Sequence, residues 1–211
     1  MELLDTAFLI TSFVTLFVIV DPVGLTPVFV SLTLGASNYE RKKIAFRATM
    51  VAAVILIIFC LFGESVLEFV GISMPAFQIA GGILLFITAL DMLFDKRSKR
   101  RKNQSGEGEK KDDVSVFPLA TPLLAGPGAI TSIILIASTV PGWVGFAHAI
   151  TAMLAVIILA YIMFLTGPLF EKVLRETGIN VVTRVLGMVL AALSVQFVLD
   201  GLISFYLNFV D

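Results

Sequence analysis

The sequence predicts an all-α membrane protein of six transmembrane helices, arranged as two inverted three-helix repeats with broken helices in spans one and four. Three observations carry that expectation. The 211-residue chain is 58% hydrophobic and 15% charged, with a mean hydropathy of +0.99, whereas soluble domains carry about 25% charged residues. Its charges are segregated: no Asp, Glu, Lys or Arg occurs from Val114 to Phe170, a run long enough for two membrane helices of roughly 20 residues each. Its prolines and glycines also recur at corresponding places in the two halves.

The chain begins Met-Glu-Leu-Leu-Asp-Thr-Ala-Phe, acidic where a signal peptide is basic, so this segment reads as the start of the first span. The six spans run over about 7–34, 44–63, 71–91, 117–139, 144–170 and 185–205. Span two contains the single cysteine, Cys60, which reads as a small buried apolar residue. Ser138-Thr139-Val140-Pro141-Gly142-Trp143 separates spans four and five as a tight turn, with its tryptophan suited to the membrane interface.

Orientation follows from the basic residues. Arg41, Lys42, Lys43 and Arg47 follow span one. Eight more, from Lys96 to Lys111, follow span three, and Lys172, Arg175 and Arg184 follow span five; together these are all 15 Lys and Arg. Basic loops stay cytoplasmic, so both termini are expected outside. The hydrophilic stretch Asp95–Asp113, DKRSKRRKNQSGEGEKKDD, has almost nothing to bury and reads as disordered. Residues 95–116 thus form a cytoplasmic linker within one transmembrane domain, between a first repeat (1–94) and a second (117–211). The linker's basic part is suited to anionic lipid head groups or serves as a solvated topology anchor.

The halves answer one another. Pro22 and Pro27 in span one match Pro122 and Pro127 in span four. Leu61-Phe62-Gly63 matches Leu165-Thr166-Gly167, and Gly71-Ile72 matches Gly178-Ile179. Gly81-Gly82 in span three corresponds to the glycine of Gly187-Met188 in span six. An odd number of spans per half makes the second half enter from the opposite side.

In inverted-repeat transporters, helices broken in corresponding positions mark the substrate site. A proline removes a backbone donor and clashes with the carbonyl four residues earlier, so two prolines five apart are expected to open a turn of helix. Freed backbone groups must be buried in protein or line a wet cavity, where amides suit an anion and carbonyls a cation. The expected substrate site therefore comprises Asp21, Pro22, Gly24, Thr26 and Pro27 from one break and Gly126, Pro127, Gly128 and Thr131 from the other, with Gln78 and Gln196 as amides in spans three and six. Asp21 near mid-membrane reads as a coupling group or a partner for a substrate amine; it is equally placed to cap the half-helix resuming at Pro22. The hydroxyls of Thr26, Thr131 and Ser132 face either substrate or their own helix. Asp91 and Asp200 read as structural, Glu64 and Glu68 as solvated in an outer loop, and His148 as interfacial. Small residues spaced by four, such as Gly187/Ala191, speak to close helix packing.

An enzyme finds little support. One histidine cannot supply His-Glu-x-x-His, and neither Gly-x-Ser-x-Gly nor a phosphate-cradling Gly-x4-Gly-Lys-Ser/Thr occurs. No cofactor, resident metal or nucleic-acid partner is expected. A channel stays open as an alternative, since broken helices also build filters, as does an exporter of another small polar solute or drug.

Four stretches resemble the MarC family, also described as a neutral amino acid transporter family. They are Asp21-Pro22-Val23-Gly24-Leu25-Thr26-Pro27, the run from Ala80 to Met92, the run from Pro118 to Ile130, and Val195-Gln196-Phe197-Val198-Leu199-Asp200-Gly201. The resemblance implies a multi-pass carrier in the plasma (inner) membrane of a prokaryote, moving glycine, alanine, serine or similar amino acids with a proton or sodium as coupling ion. A homo-oligomer is left open. Leu25 departs from the polar residue, often asparagine, expected there in relatives.

Overall fold

Asp21 divides the first apolar run. It adopts φ 53° and ψ 64°, the left-handed region that Asp and Asn tolerate better than other residues with a β-carbon. The following proline disfavours the right-handed helical region for its predecessor, so the helix stops at Asp21 and restarts at Pro22. The computed structural model describes residues 6–94, 113–140 and 142–210, and among these every regular element is helical. Span one consists of α1 (Thr6–Val20) and α2 (Pro22–Leu32). The other elements are α3 (Asn38–Val70), α4 (Met74–Leu93), α5 (Ser115–Leu124), α6 (Pro127–Thr139), α7 (Trp143–Leu165) and α8 (Gly167–Val210).

The break in span one is narrower than its two prolines imply. Pro27 lies inside α2, which runs on to Leu32. Its ring removes one helical hydrogen bond, yet the flanking bonds hold: Leu25 N–H donates to the Asp21 carbonyl at 3.0 Å, and Thr26 Oγ1 donates to the Pro22 carbonyl at 2.8 Å. At the far end of α2, Arg41 Nε donates to the Thr33 carbonyl at 3.3 Å, placing a cation where the helix dipole is negative. Ser37 and Glu40 form a reciprocal capping box that starts α3.

The break in span four is wider than its sequence counterpart. Phe117 and Thr121 each precede a proline and are extended, at φ −126°, ψ 126° and φ −131°, ψ 125°, as the residue before proline prefers. The rest of α5 is π-wound, with Ala125 N–H donating to the Ala120 carbonyl at 2.8 Å. Ala125 and Gly126 then leave the helix, and α6 restarts at Pro127 with a bend of 55°. The first turn of α5 also replaces the end of the expected linker, since Ser115 and Val116 are helical; linker residues 95–112 lie outside the described residues.

Two expected loops are helical. Glu64 and Glu68 are exposed on the last turns of α3, which ends at Gly71, and the segment after span five is part of α8. Hydropathy falls in both places, but a helix leaving the membrane does not need apolar residues. Five helices are long and apolar enough to cross a membrane, or six if the bent pair α5–α6 is counted as one span. Large apolar side chains such as Ile58, Phe62, Ile83, Ile158 and Met188 stand exposed on the outside, a surface suited to lipid and far beyond a soluble protein's patches.

Span one and α7 occupy the centre: 56% and 44% of their most apolar windows are buried, against 28% for α3 and α4 and 22% for α8. The packing pairs elements across the two halves. As α1 lies on α7, α5 lies on α3; as α2 lies on α7 and α8, α6 lies on α3 and α4. The most extensive interface joins α4 to α8. A β-carbon on Gly82 would stand 2.8 Å from the Ser194 carbonyl, one on Gly201 3.1 Å from the Pro75 carbonyl, and one on Gly187 2.9 Å from Met92 Cβ. Residue numbers rising along α4 meet numbers falling along α8, so the two helices are antiparallel. They approach through glycine, as lipid-embedded helices do when little apolar driving force remains. Cys60 is buried.

Candidate functional site

Two of the regions that bring polar groups into this apolar bundle bear on a solute site. The first is the break itself. Asp21 is fully buried (0% exposed) and its Oδ1 accepts the Gly24 amide at 3.0 Å. A carboxylate there meets both the partial positive charge and an orphan donor of the α2 N-terminus, so capping is a job it performs. The Gly24 amide that an anionic substrate would need is thereby taken. Thr26, also fully buried, spends its hydroxyl on its own helix. Leu25 is fully buried in the apolar core.

The two breaks approach one another. A β-carbon on Gly128 would meet Ile19 Cγ2 and Leu85 Cδ2, both at 3.3 Å, and one on Gly126 would meet the Pro122 carbonyl at 2.5 Å. Side chains already fill the space around Gly128, and Gly126 is small because its own backbone doubles back. Thr131 is buried with its methyl group against Gly81. Pro22 is buried, Pro27 half-buried and Pro127 exposed. The space immediately beside Gly128 is therefore taken by Ile19 and Leu85.

The second region is a cavity of about 600 Å³ walled by α1, α4, α6 and α8, within the range of small-molecule sites, about 300–1,000 Å³. Its α1 wall is Phe8, Thr11, Ser12 and Thr15, and its α8 wall includes Leu193, Gln196, Phe197, Asp200 and Ser204. Both sets follow the three- and four-residue spacing of one helix face. Met74, Pro75 and Gln78 come from the start of α4, and Ser138 and Thr139 from the end of α6. These ends lie together at one face of the bundle.

Gln78 and Gln196, singled out in the sequence, do meet at this cavity, while the other nine expected site residues lie outside its lining. Gln196 Nε2 donates to Asp200 Oδ1 at 2.7 Å. Ser12 is 2% exposed and its Oγ has no partner among the described residues, a state that costs about 1–3 kcal/mol unless a ligand or water satisfies it. Sequence reading missed Thr11, Ser12 and Thr15; the signal was their common face in an otherwise apolar helix. It also set Asp200 aside by depth alone.

His148, in the first turns of α7, is buried against its neighbours. It is 2% exposed, with Nδ1–H donating to the Val144 carbonyl at 2.8 Å and its ring edge-on to Phe8 at 5.2 Å. That bond fixes the proton on Nδ1 in the neutral ring, and Nε2 has no partner among the described residues.

At the opposite face, Arg47 of α3 forms an ion pair with Asp113, which also accepts hydrogen bonds from the Ser115 hydroxyl and amide. The Ser115 hydroxyl above all, against the desolvation that opposes it and with smaller help from the Ser115 amide, Arg47 and Lys43, holds the Asp113 carboxyl below the ordinary range.

The fold and its lipid-suited surface define an integral membrane protein with several apolar helices. The model of the MarC family of integral membrane proteins matches residues 6–206, and the chain belongs to that family. It is 39% identical over 198 residues to a UPF0056 membrane protein of Archaeoglobus fulgidus, covering 93% of this chain and 92% of the relative. It is 38% identical over 199 residues to the UPF0056 membrane protein YhcE of Escherichia coli, covering 90% and 89%. A UPF0056 membrane protein of Aquifex aeolicus is 37% identical over 196 residues, covering 92% and 91%. No solved structure matches the chain.

Proposed function

We propose that this protein is a proton-coupled secondary transporter of small neutral amino acids, such as glycine, alanine and serine, in the plasma membrane of a prokaryote. The observation that carries the reading is a polar-walled cavity built by helices from both halves, with a broken helix and a buried carboxylate beyond it. Solute enters the cavity from the outer face, where both termini lie by the distribution of basic residues. Beyond it, Ile19 and Leu85 close over Gly128, and the Arg47–Asp113 pair ties α3 to the start of α5 at the inner face.

In this reading the two halves are inverted repeats, supported by the interfaces of α1 and α2 with α7 and α8 that α5 and α6 repeat on α3 and α4. Alternating access is then a rocking of one half against the other about the breaks. Asp21 couples through the hinge rather than by touching solute. Ionised, it holds the Gly24 amide and sets the start of α2; protonated, it is a weaker acceptor and releases that end. The proton thus shifts the equilibrium between the two access states only through its different affinity for each.

The test is counterflow in liposomes. Unlabelled alanine inside should accelerate entry of labelled glycine, because a carrier must return loaded or empty before it moves another solute. Entry at the same rate with and without internal alanine would count against a carrier.

A further inference from the structure

The charge of the cavity wall carries more than a site for a polar solute. Among the described lining residues Asp200 is the only one that ionises; the others are apolar, hydroxyl or amide. Gln196, one turn earlier on α8, holds this carboxylate through a 2.7 Å hydrogen bond, which uses one of about four acceptor positions. On α1, Ser12 presents a buried hydroxyl whose oxygen has no partner among the described residues. Gln78 adds an amide from α4. A cleft lined by one sign of charge and walled by low-dielectric side chains concentrates the opposite charge.

We infer that Asp200 is the ammonium-binding residue of this cavity, so that the site selects small solutes carrying a protonated amine and rejects anions that lack one. The inference rests on reading the cavity as the solute site and names what that site recognises. The ammonium group donates to Asp200, and the Ser12 hydroxyl and Gln78 amide offer donors to a carboxylate or other acceptor on the same solute. A zwitterion satisfies both ends. A simple carboxylate meets the Asp200 charge with nothing to offset it. Gln196 acts as a positioning residue, fixing the carboxylate's rotamer.

The full-length protein in liposomes tests this in two arms. The first uses Ser204→Cys, one turn beyond Asp200, with the buried Cys60 replaced by Ala. A cationic ethylammonium thiosulfonate should modify it roughly tenfold faster than the anionic ethylsulfonate analogue, relative to a free thiol, and Asp200→Asn should erase that preference. The second arm follows labelled glycine uptake. Glycinamide, which keeps the ammonium, should compete, and acetate should not. Asp200→Asn should raise the half-saturating glycine concentration by about tenfold or more, while Asp200→Glu should recover part of it. Asparagine can still accept from Gln196, so a folding defect is not the expected cause. A charge preference indifferent to Asp200→Asn, or acetate competing as well as glycinamide, would overturn the inference. If glycine is carried with unchanged half-saturation in Asp200→Asn, the ammonium site fails and the carrier stands. If the Asp200-dependent charge preference is present but glycine does not move, the ammonium site stands and the amino-acid reading fails.

Discussion

At Asp21 the chain turns left-handed, and the same side chain ties back to the Gly24 amide at 3.0 Å. The observed cap and the proposed coupling therefore fall on one residue, and substitution separates them. Asparagine tolerates the left-handed region and caps as well as aspartate, but it cannot take up a proton. Asp21→Asn should therefore unfold near the wild-type temperature in detergent, lose pH-driven uptake and keep exchange. Asp21→Ala should lose the cap as well, with a destabilisation of about 1 kcal/mol. Pump-like uptake persisting in Asp21→Asn would remove the coupling role. The cap at Asp21 was legible because a carboxylate directly before a proline in an apolar run is placed to start a half-helix. The place of Asp200 in the cavity wall was not, because depth in a hydropathy profile says nothing about which neighbours the packing brings alongside.

At the scale of elements, the two breaks differ for reasons the sequence only half discloses. Pro22 and Pro127 each start a helix as the first helical residue, where a missing N–H costs nothing. Pro27 sits in a helix interior and is carried by the bonds around it, whereas Pro118 and Pro122 leave Phe117 and Thr121 extended. Matching the two proline pairs found both breaks but not their unequal widths. Glycine substitutions read the same elements. Gly126→Ala should prevent folding, since its β-carbon would stand 2.5 Å from a backbone carbonyl, whereas Gly128→Ala meets side-chain ends at 3.3 Å and should fold. The interface of α4 with α8 gives a graded case. Gly82→Ala drives a methyl toward the Ser194 carbonyl and should destabilise by about 1–3 kcal/mol, the usual scale of overpacking, seen as a lower unfolding temperature with α4 and α8 still helical.

Across the whole molecule, the polar cavity lies at one face and the Arg47–Asp113 contact at the other. A second cavity, of about 410 Å³, lies beside that contact and is lined by Glu40, Lys43, Arg47 and Asp113 among others. Asp113 has a folded pKa below its unfolded value of about 3.9, so its contribution is full above that value and disappears as pH falls through the folded one. Both side chains are partly exposed, at 56% and 37%, which limits the contact to about 1 kcal/mol. Asp113→Asn should remove that pH dependence and speed hydrogen exchange at the start of α5, with the rest of the bundle unchanged. Hydropathy and the placement of basic residues made the number of crossings legible, apart from the bent fourth. The continuous α8 was hidden because its charged first turns resemble a loop.

The central claim is a carrier driven by protons, and the most direct measurement is uptake of labelled glycine, alanine and serine into liposomes holding the purified protein, with and without an imposed pH gradient. The account predicts saturable uptake that rises with the gradient and is competed by unlabelled amino acid. Uptake that neither saturates nor responds to the gradient, in vesicles whose protein is folded, would contradict it.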